Sequence, residues 1–335
     1  MGFGSLGSKP LVLVSPGAGA DNPGLFEREL GGLAEVSFCT FRRGGAVPAE
    51  VEVAEAMVLG LEPVDDWLLE RARRLRIVAR YGVGYDTVDV DACTRRGIYV
   101  THTPGVLSVA VAELTIGLML SLSRRLIGAD RYTRMEWWRP ERGRLQIGTD
   151  LNGKVLGIIG LGRIGYEVAA RARAFNMEVL YYDVEPKEEA ERSLGAKYTD
   201  LEALLRNSDF VSLHVPLTPR TRRLIGEREL KMMKPTGYII NTSRGQVIDE
   251  EALCKALREG WIAGAGLDVF EKEPLQRDSE LMKMDNVVLT PHIGSYTAET
   301  RRAMALMCIE NVRAVLEGRK PPNLVPEQKD KTFNF

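Results

Sequence analysis

Three side chains in the last third of the chain are of the types needed for acid–base chemistry on a small acid: Arg244, Glu273 and His292. His292 stands in Thr290-Pro291-His292-Ile293-Gly294-Ser295, and Glu273 in Asp268-Val269-Phe270-Glu271-Lys272-Glu273-Pro274. Arg244 stands in Asn241-Thr242-Ser243-Arg244-Gly245. Imidazole titrates near neutrality, so His292 is the natural group to give a proton to a carbonyl oxygen and take it back. Glu273 would hydrogen-bond its other ring nitrogen. A guanidinium can grip a carboxylate and polarise a carbonyl with its forked donors, which is the role open to Arg244. Asp268 could face a nicotinamide carboxamide and favour the cationic, oxidised ring. This chemistry fits hydride transfer to a 2-keto acid. Taken singly, each group also has a plain structural reading: a histidine after a strand, a solvated arginine, a Glu-Pro loop. The set gains weight because each member follows a different strand of one nucleotide fold.

The sharpest local motif is Gly160-Leu161-Gly162-Arg163-Ile164-Gly165. It follows the apolar run Val155–Ile159 and opens a helical pattern over Ile164–Phe175. Gly160 allows a tight turn, Gly162 lets the backbone approach a pyrophosphate, and Gly165 lets the helix pack on the strand. A helix N-terminus then offers N–H groups and partial positive charge to the phosphates. Asp183 ends the next strand pattern, 18 residues past Gly165, where its carboxylate can accept from ribose hydroxyls. A 2′-phosphate would meet that negative charge, and Val184-Glu185-Pro186 offers no arginine. NAD(H) is therefore expected over NADP(H), with Lys187 the one nearby cation that weakens the expectation.

The elements that must position these groups alternate in type. Leu11–Ser15, Ala56–Leu59, Arg76–Arg80 and Ile98–Thr101 read as strands; Phe26–Leu33, Trp67–Leu75 and Val88–Arg96 read as helices. Such alternation implies parallel pairing in an open α/β sheet. A long apolar helix is expected at about 107–127. The polar, arginine- and tryptophan-rich stretch Arg131–Asp150 has no clean period and is expected to be an exposed loop or arm. A second series starts at Lys154, with strands at Val155–Ile159, Glu178–Asp183, Asp209–Val215, Tyr238–Asn241, Gly264–Phe270 and Val287–Thr290. Helices are expected at Leu201–Arg206, Glu227–Met233, Glu250–Glu259 and about Ala298–Glu317. Six strands in this order suit a doubly wound dinucleotide-binding sheet.

Composition narrows the class. The chain has 335 residues, enough for about two domains. A hydrophobic content of 44% with 27% charged residues is ordinary for a globular protein and argues against disorder, coiled coil and collagen. A net charge of −1 gives no global pull toward nucleic acid or an anionic membrane. The four cysteines, Cys39, Cys93, Cys254 and Cys308, form no CxxC pair, so neither a zinc site nor a disulfide framework is indicated. With three histidines and no HExxH motif, no metal is expected. Residues 1–8 are Gly/Ser-rich and do not resemble a signal peptide. Pro104–Ser123 imitates a membrane span, but Glu113 in its middle would cost about 2.5–3.5 kcal/mol there, so a buried helix is expected. A cytoplasmic location follows as an expectation. His102 and His214 are read as structural. Val215 and Pro216, in His214-Val215-Pro216-Leu217-Thr218 at a strand end, are expected to line an adenine pocket.

Taken together, these motifs resemble the D-isomer-specific 2-hydroxyacid dehydrogenases over about residues 10–325, most nearly their glyoxylate/hydroxypyruvate reductase branch. Further matching stretches are Tyr81-Gly82-Val83-Gly84-Tyr85-Asp86, Thr103-Pro104-Gly105-Val106-Leu107 and Gly264-Ala265-Gly266-Leu267-Asp268-Val269-Phe270. The resemblance implies that Arg244, Glu273 and His292 are the catalytic trio, and that Asp268, Thr242, Ser243 and Gly294 are cofactor contacts. It implies that the N–H groups of Val83 and Gly84 clamp the substrate carboxylate, with Ser295 also on the substrate side. Leu61 matches a substrate-facing lip, and Trp138, in Trp138-Arg139-Pro140, an arm reaching a neighbouring subunit's active site. A homodimer is implied, and the Trp137-Trp138 pair itself suggests a contact surface. The implied fold has two Rossmann-like α/β domains with doubly wound parallel sheets. The nucleotide domain, 107–295, is inserted into a substrate domain of 1–106 plus 296–335, and closure on the connecting helices is expected.

The leading expectation is an NADH-dependent reductase of glyoxylate and hydroxypyruvate. One alternative is D-3-phosphoglycerate dehydrogenase, disfavoured by Gly105-Val106-Leu107 in place of an asparagine-rich turn and by the absence of an added regulatory domain. Phosphite oxidation finds no support in Val58–Leu61. An NAD(H)-sensing corepressor or scaffold is the alternative of a different class, since a fold does not fix a function.

Overall fold

A computed structural model describes residues 9–41, 47–141 and 145–333. The Gly/Ser-rich residues 1–8 and three residues of the expected arm, 142–144, lie outside the described residues. The chain divides into two compact units. One contains the described residues up to Leu107 together with those from Ser295 onward; the other is Ser108–Gly294.

The first unit is built on a sheet of β1 (Leu11–Val14), β2 (Glu35–Phe38), β3 (Ala54–Leu59), β4 (Ile77–Arg80) and β5 (Tyr99–Thr101). The order is β2-β1-β3-β4-β5 and every pairing is parallel. Central strands of a parallel sheet are covered on both faces and so read as continuous apolar runs. β3 and β4 do so: Ala56–Val58 and Ile77–Ala79 are fully buried. β2 was not expected. It is an edge strand with Glu35 and Phe38 exposed, which removes the apolar signal. The expected helix Trp67–Leu75 is shorter, Asp66–Leu69, and gives way to turns. The helix Ala298–Leu316 belongs to this unit, where Arg76 Nη2 donates to Val315 O at 2.7 Å.

The second unit holds β6 (Val155–Ile159), β7 (Glu178–Tyr182), β8 (Lys197–Tyr198), β9 (Phe210–Leu213), β10 (Tyr238–Asn241), β11 (Gly264–Leu267) and β12 (Val287–Leu289). Their order is β12-β11-β10-β9-β6-β7-β8, again all parallel. The sheet has one strand more than expected, because β8 is a two-residue exposed edge. Alternate side chains feed two cores. Leu156, Ile158, Phe210 and Ile240 pack on one face with the helices Ser108–Ser123 and Arg163–Ala174. Ile159, Val211, Leu213 and Ile239 pack on the other face with Glu250–Glu259 and its neighbours.

The stretch that imitates a membrane span is the buried helix Ser108–Ser123, and Glu113 on it is exposed and paired with Arg171 at 3.4 Å. Among the described residues no helix is long and apolar enough to cross a membrane. The helix stops earlier than expected, since Arg125 takes φ 50° and a second helix, Leu126–Met135, runs into the stretch expected as a loop. That second helix buries none of its residues, so its sequence carries no core-facing stripe.

One carboxylate stitches the amino-terminal edge of the second sheet. Asp209 Oδ2 accepts from Val155 N at 2.9 Å, and Oδ1 from Lys234 Nζ at 2.8 Å. Its backbone bonds Val155 O and Tyr238 N at 2.9 Å each, which joins β6, β9 and β10. Burial pushes the Asp209 carboxyl up, but the Lys234 and Val155 hydrogen bonds outweigh it and the net shift is downward. A depressed carboxyl stabilises the fold above the ordinary aspartate range and loses that contribution as pH falls through its folded pKa. Asp209→Asn should therefore cost about 1–3 kcal/mol at pH 7 by urea unfolding, and the gap to wild type should shrink as pH drops toward 3.

Candidate active site

Because the seven strands are parallel, all their carboxyl ends share one edge, where open α/β sheets bind ligands. The order reverses between β6 and β9, and the glycine turn sits there. Gly160 has φ 92°, and a Cβ on it would come within 2.8 Å of His214 O and Val215 Cγ1. Gly162 caps the helix Arg163–Ala174, and a Cβ there would meet nothing within 4 Å. A Cβ on Gly165 would overlap Gly160 O. Tight turn, open approach and close helix–strand packing are the three demands of a pyrophosphate cradle, and these residues meet them. Leu161 is buried, Ile164 packs into the core, and Arg163 stands exposed on the first helical turn. Asp183 follows β7. Its Oδ2 accepts from Leu161 N at 2.9 Å and its Oδ1 from Val184 N at 2.7 Å. The nearby Lys187 is held by Glu185 at 2.8 Å.

After β9, Val215 is half-buried and Pro216 exposed. His214 bonds Ser212 Oγ at 2.8 Å, and burial pushes its pKa down to about 3, so its ring is neutral at pH 7.

After β10, Asn241 organises the turn. Its Oδ1 accepts from Ser243 N and Oγ at 3.0 and 2.8 Å, and its Nδ2 donates to Arg244 O at 2.8 Å. Thr242 is buried against Thr115, with their hydroxyls 3.1 Å apart. Arg244 Nη1 donates to Ser243 O at 2.8 Å. Gly245 lies so close to the next loop that a Cβ would overlap the Phe270 carbonyl and Glu271 N. That contact brings the arginine loop against the loop carrying Glu273. No local signal marks this role of Gly245, because its neighbour Phe270 lies 25 residues away.

After β11 comes Asp268, buried to 1% exposure. Its Oδ1 accepts from Thr290 Oγ1 at 2.7 Å and Ile293 N at 2.8 Å, and its Oδ2 from Gly294 N at 2.8 Å. His292 N donates to Asp268 O at 2.8 Å. Burial raises the Asp268 carboxyl, against these donors and the His292 charge, which lower it. His292 sits at φ 56°, a left-handed conformation that costs a non-glycine residue about 1–2 kcal/mol. The Asp268 bonds impose it. Thr290 and the Ile293 amide are therefore supporting groups that sequence reasoning missed.

His292 Nδ1 meets Glu273 Oε2 at 2.7 Å, and Glu273 Oε1 accepts from Phe270 N at 3.1 Å. An ionised carboxylate only accepts, so Nδ1 carries hydrogen and Nε2 is left to exchange a proton. Burial pushes the Glu273 carboxyl up, but the His292 bond and charge, the Phe270 amide and the Arg244 charge pull it lower, so Glu273 stays ionised at neutrality. The second unit thus places Arg244, Glu273 and His292 on loops at one edge of its sheet.

The substrate-side candidates of the first unit are placed separately. Val83 and Gly84 follow β4 and are half-buried, Leu61 follows β3 and is 48% exposed, and Ser295 is half-buried at the start of the carboxyl-terminal segment. Trp138, in the second unit, is 73% exposed, with the Arg139 guanidinium 5.3 Å from its ring centre.

Known proteins resemble this arrangement. The family model described as D-isomer specific 2-hydroxyacid dehydrogenase, NAD binding domain, matches residues 116–294. Glyoxylate reductase from Thermococcus litoralis is 52% identical over 287 residues, covering 84% of this chain and 86% of that protein. Glyoxylate reductase from Aeropyrum pernix is 53% identical over 266 residues, covering 78% and 79%. The solved NADPH-dependent glyoxylate/hydroxypyruvate reductase from Sinorhizobium meliloti, in complex with NADP and malonate, superposes with a TM-score of 0.87 at 35% identity, covering 98% of this chain and 99% of that one. D-lactate dehydrogenase from Aquifex aeolicus, complexed with NAD and lactic acid, gives 0.83 at 33% identity, covering 96% and 98%. The chain belongs to the D-isomer specific 2-hydroxyacid dehydrogenase family, oxidoreductases acting on CH–OH groups, and carries that family's NAD-binding domain.

Glu273→Gln removes the charge that holds the histidine proton on Nδ1. It should lower kcat by about 10–100-fold while NADH binding, followed by fluorescence, is unchanged.

Proposed function

We propose that the chain reduces glyoxylate and hydroxypyruvate to glycolate and D-glycerate with NADH. The observation that carries this reading is the 2.7 Å His292–Glu273 pair at the strand edge that also holds the glycine turn. The similarity to glyoxylate reductases supports the substrate class.

In this reading, the unit Ser108–Gly294 is the nucleotide domain and the other unit the substrate domain, one residue inside the expected boundaries at each end. The cradle Gly160–Gly165 holds the pyrophosphate and Asp183 the adenosine ribose. Val215 and Pro216 line the adenine side; Thr242, Ser243, Asp268 and Gly294 serve the nicotinamide side. When bound, the reduced nicotinamide supplies a hydride to the substrate's carbonyl carbon. His292 gives the proton from Nε2 to the carbonyl oxygen, so one hydride and one proton turn the aldehyde of glyoxylate or the ketone of hydroxypyruvate into an alcohol. Glu273 balances the imidazolium charge through Nδ1–H. In the first unit the N–H groups of Val83 and Gly84 take the substrate carboxylate, with Leu61 and Ser295 as that unit's other substrate-side residues; in the second unit Arg244 polarises the substrate carbonyl. The preference for NADH is supported by Asp183 and by the pairing of Lys187 with Glu185 at 2.8 Å, which leaves that cation committed.

A homodimer is part of the proposal. The helix Leu126–Met135 buries no residue in a single chain, and Ile127, Met135, Trp137 and Trp138 are all at least 59% exposed. Such an apolar surface calls for a partner, and Trp138 is the arm residue that would reach it.

NADH oxidation against glyoxylate, hydroxypyruvate, phosphohydroxypyruvate and pyruvate tests the reading. The two small unphosphorylated acids should turn over fastest, NADPH should serve less well, and His292→Ala should lose about 10²–10⁴ in kcat. Preference for phosphohydroxypyruvate, or tight NADH binding with no turnover, would overturn it.

A further inference from the structure

The loop after β4 presents two successive peptide planes to the segment after β5. The Gly82 carbonyl accepts from Thr103 N at 3.0 Å, and the Val83 carbonyl meets His102 Nδ1 at 3.0 Å. A carbonyl oxygen only accepts, so the His102 hydrogen is on Nδ1. In a trans peptide the C=O of one residue and the N–H of the next point opposite ways. Thr103 therefore aims the Val83 N–H, and His102 aims the Gly84 N–H, both away from the 102–103 segment. Neither N–H donates to a backbone carbonyl among the described residues. Two neighbouring amides turned to one side form an anion-binding concavity.

The His102 ring is itself held in place. Its backbone N–H donates to Asn323 O at 3.1 Å. The Tyr85 ring packs edge-on against it, with centroids 5.6 Å apart and an interplanar angle of 89°. The Tyr85 hydroxyl in turn donates to the Glu327 carboxylate at 3.2 Å.

We propose that His102 is a positioning residue for substrate recognition: it locks the Val83–Gly84 peptide plane so that the Gly84 N–H meets the substrate's carboxylate. The inference rests on the reading of Val83 and Gly84 given above and adds to it a side chain outside both the catalytic trio and the cofactor contacts. Of the two bonds that aim the clamp, the His102 bond is the one a substitution can delete without altering backbone.

The test compares wild type, His102→Leu and His102→Asn, whose amide nitrogen can replace Nδ1 as donor. Two quantities are read: the KM for glyoxylate and the inhibition constant of oxalate, a carboxylate with no ketone to reduce. His102→Leu should raise both by about tenfold, the loss of one hydrogen bond to a charged group, with kcat and the KM for NADH little changed. His102→Asn should restore most of the loss. An unchanged KM and oxalate constant in folded His102→Leu would overturn the inference alone. So would a fall in kcat and NADH affinity that His102→Asn fails to rescue, since that is the mark of general damage. Wild type that binds no oxalate would overturn the clamp reading and this inference with it. A ¹⁵N spectrum of the wild-type histidines makes the same distinction without a variant: hydrogen on His102 Nδ1 supports the inference, and hydrogen on Nε2 alone overturns it.

Discussion

The loop that carries His292 owes its shape to a buried carboxylate. Asp268 accepts from Thr290 Oγ1 and from the amides of Ile293 and Gly294, and its own carbonyl accepts from the His292 amide. These bonds flank His292 on both sides and hold it at φ 56°. Burying an ionised group is costly unless donors surround it. Here the donors come from the chain segment that must be shaped, so the same bonds offset the burial and set the loop. Without them the left-handed conformation would relax, and Nδ1 would leave Glu273.

Topology does the remaining alignment. Parallel strands deliver every carboxyl end to one edge, so residues far apart in sequence become neighbours with no long-range steering beyond the sheet itself. Two glycines set how closely the pieces approach. Gly165 lets the helix N-terminus sit against the Gly160 carbonyl, and Gly245 lets the arginine loop lie on the Phe270 peptide. The outcome is an imidazole held by a carboxylate at the edge of the sheet of the NAD-binding domain, with a guanidinium on a neighbouring loop.

Much of this was legible in the sequence, for physical reasons that differ by element. Val155–Ile159 and Tyr238–Asn241 are central parallel strands, and buried runs of this kind announce themselves. Glu250–Glu259 is bounded by an Asp249 cap and by Gly260 in the left-handed region, both local signals. β2 and β8 escaped because edge strands keep polar or exposed side chains. Leu126–Met135 escaped because it has no buried face. The placement of Arg244, Glu273 and His292 was legible because each follows a strand that the sequence marks. The support beneath them was not. The Thr290–Asp268 bond spans 22 residues, and no local pattern encodes such a pairing. His102, read as structural, bonds a carbonyl 19 residues earlier in the chain, a relation visible only once β4 and β5 lie side by side.

The central claim is that Asp268 holds His292 in its working conformation. A crystal structure of Asp268→Asn tests it most directly, because an amide at that position keeps one acceptor and sets a donor against the amide of either Ile293 or Gly294. The account predicts that His292 leaves the left-handed region and that its ring separates from Glu273 beyond hydrogen-bond reach. An unchanged loop, with the His292–Glu273 contact still near 2.7 Å, would contradict it.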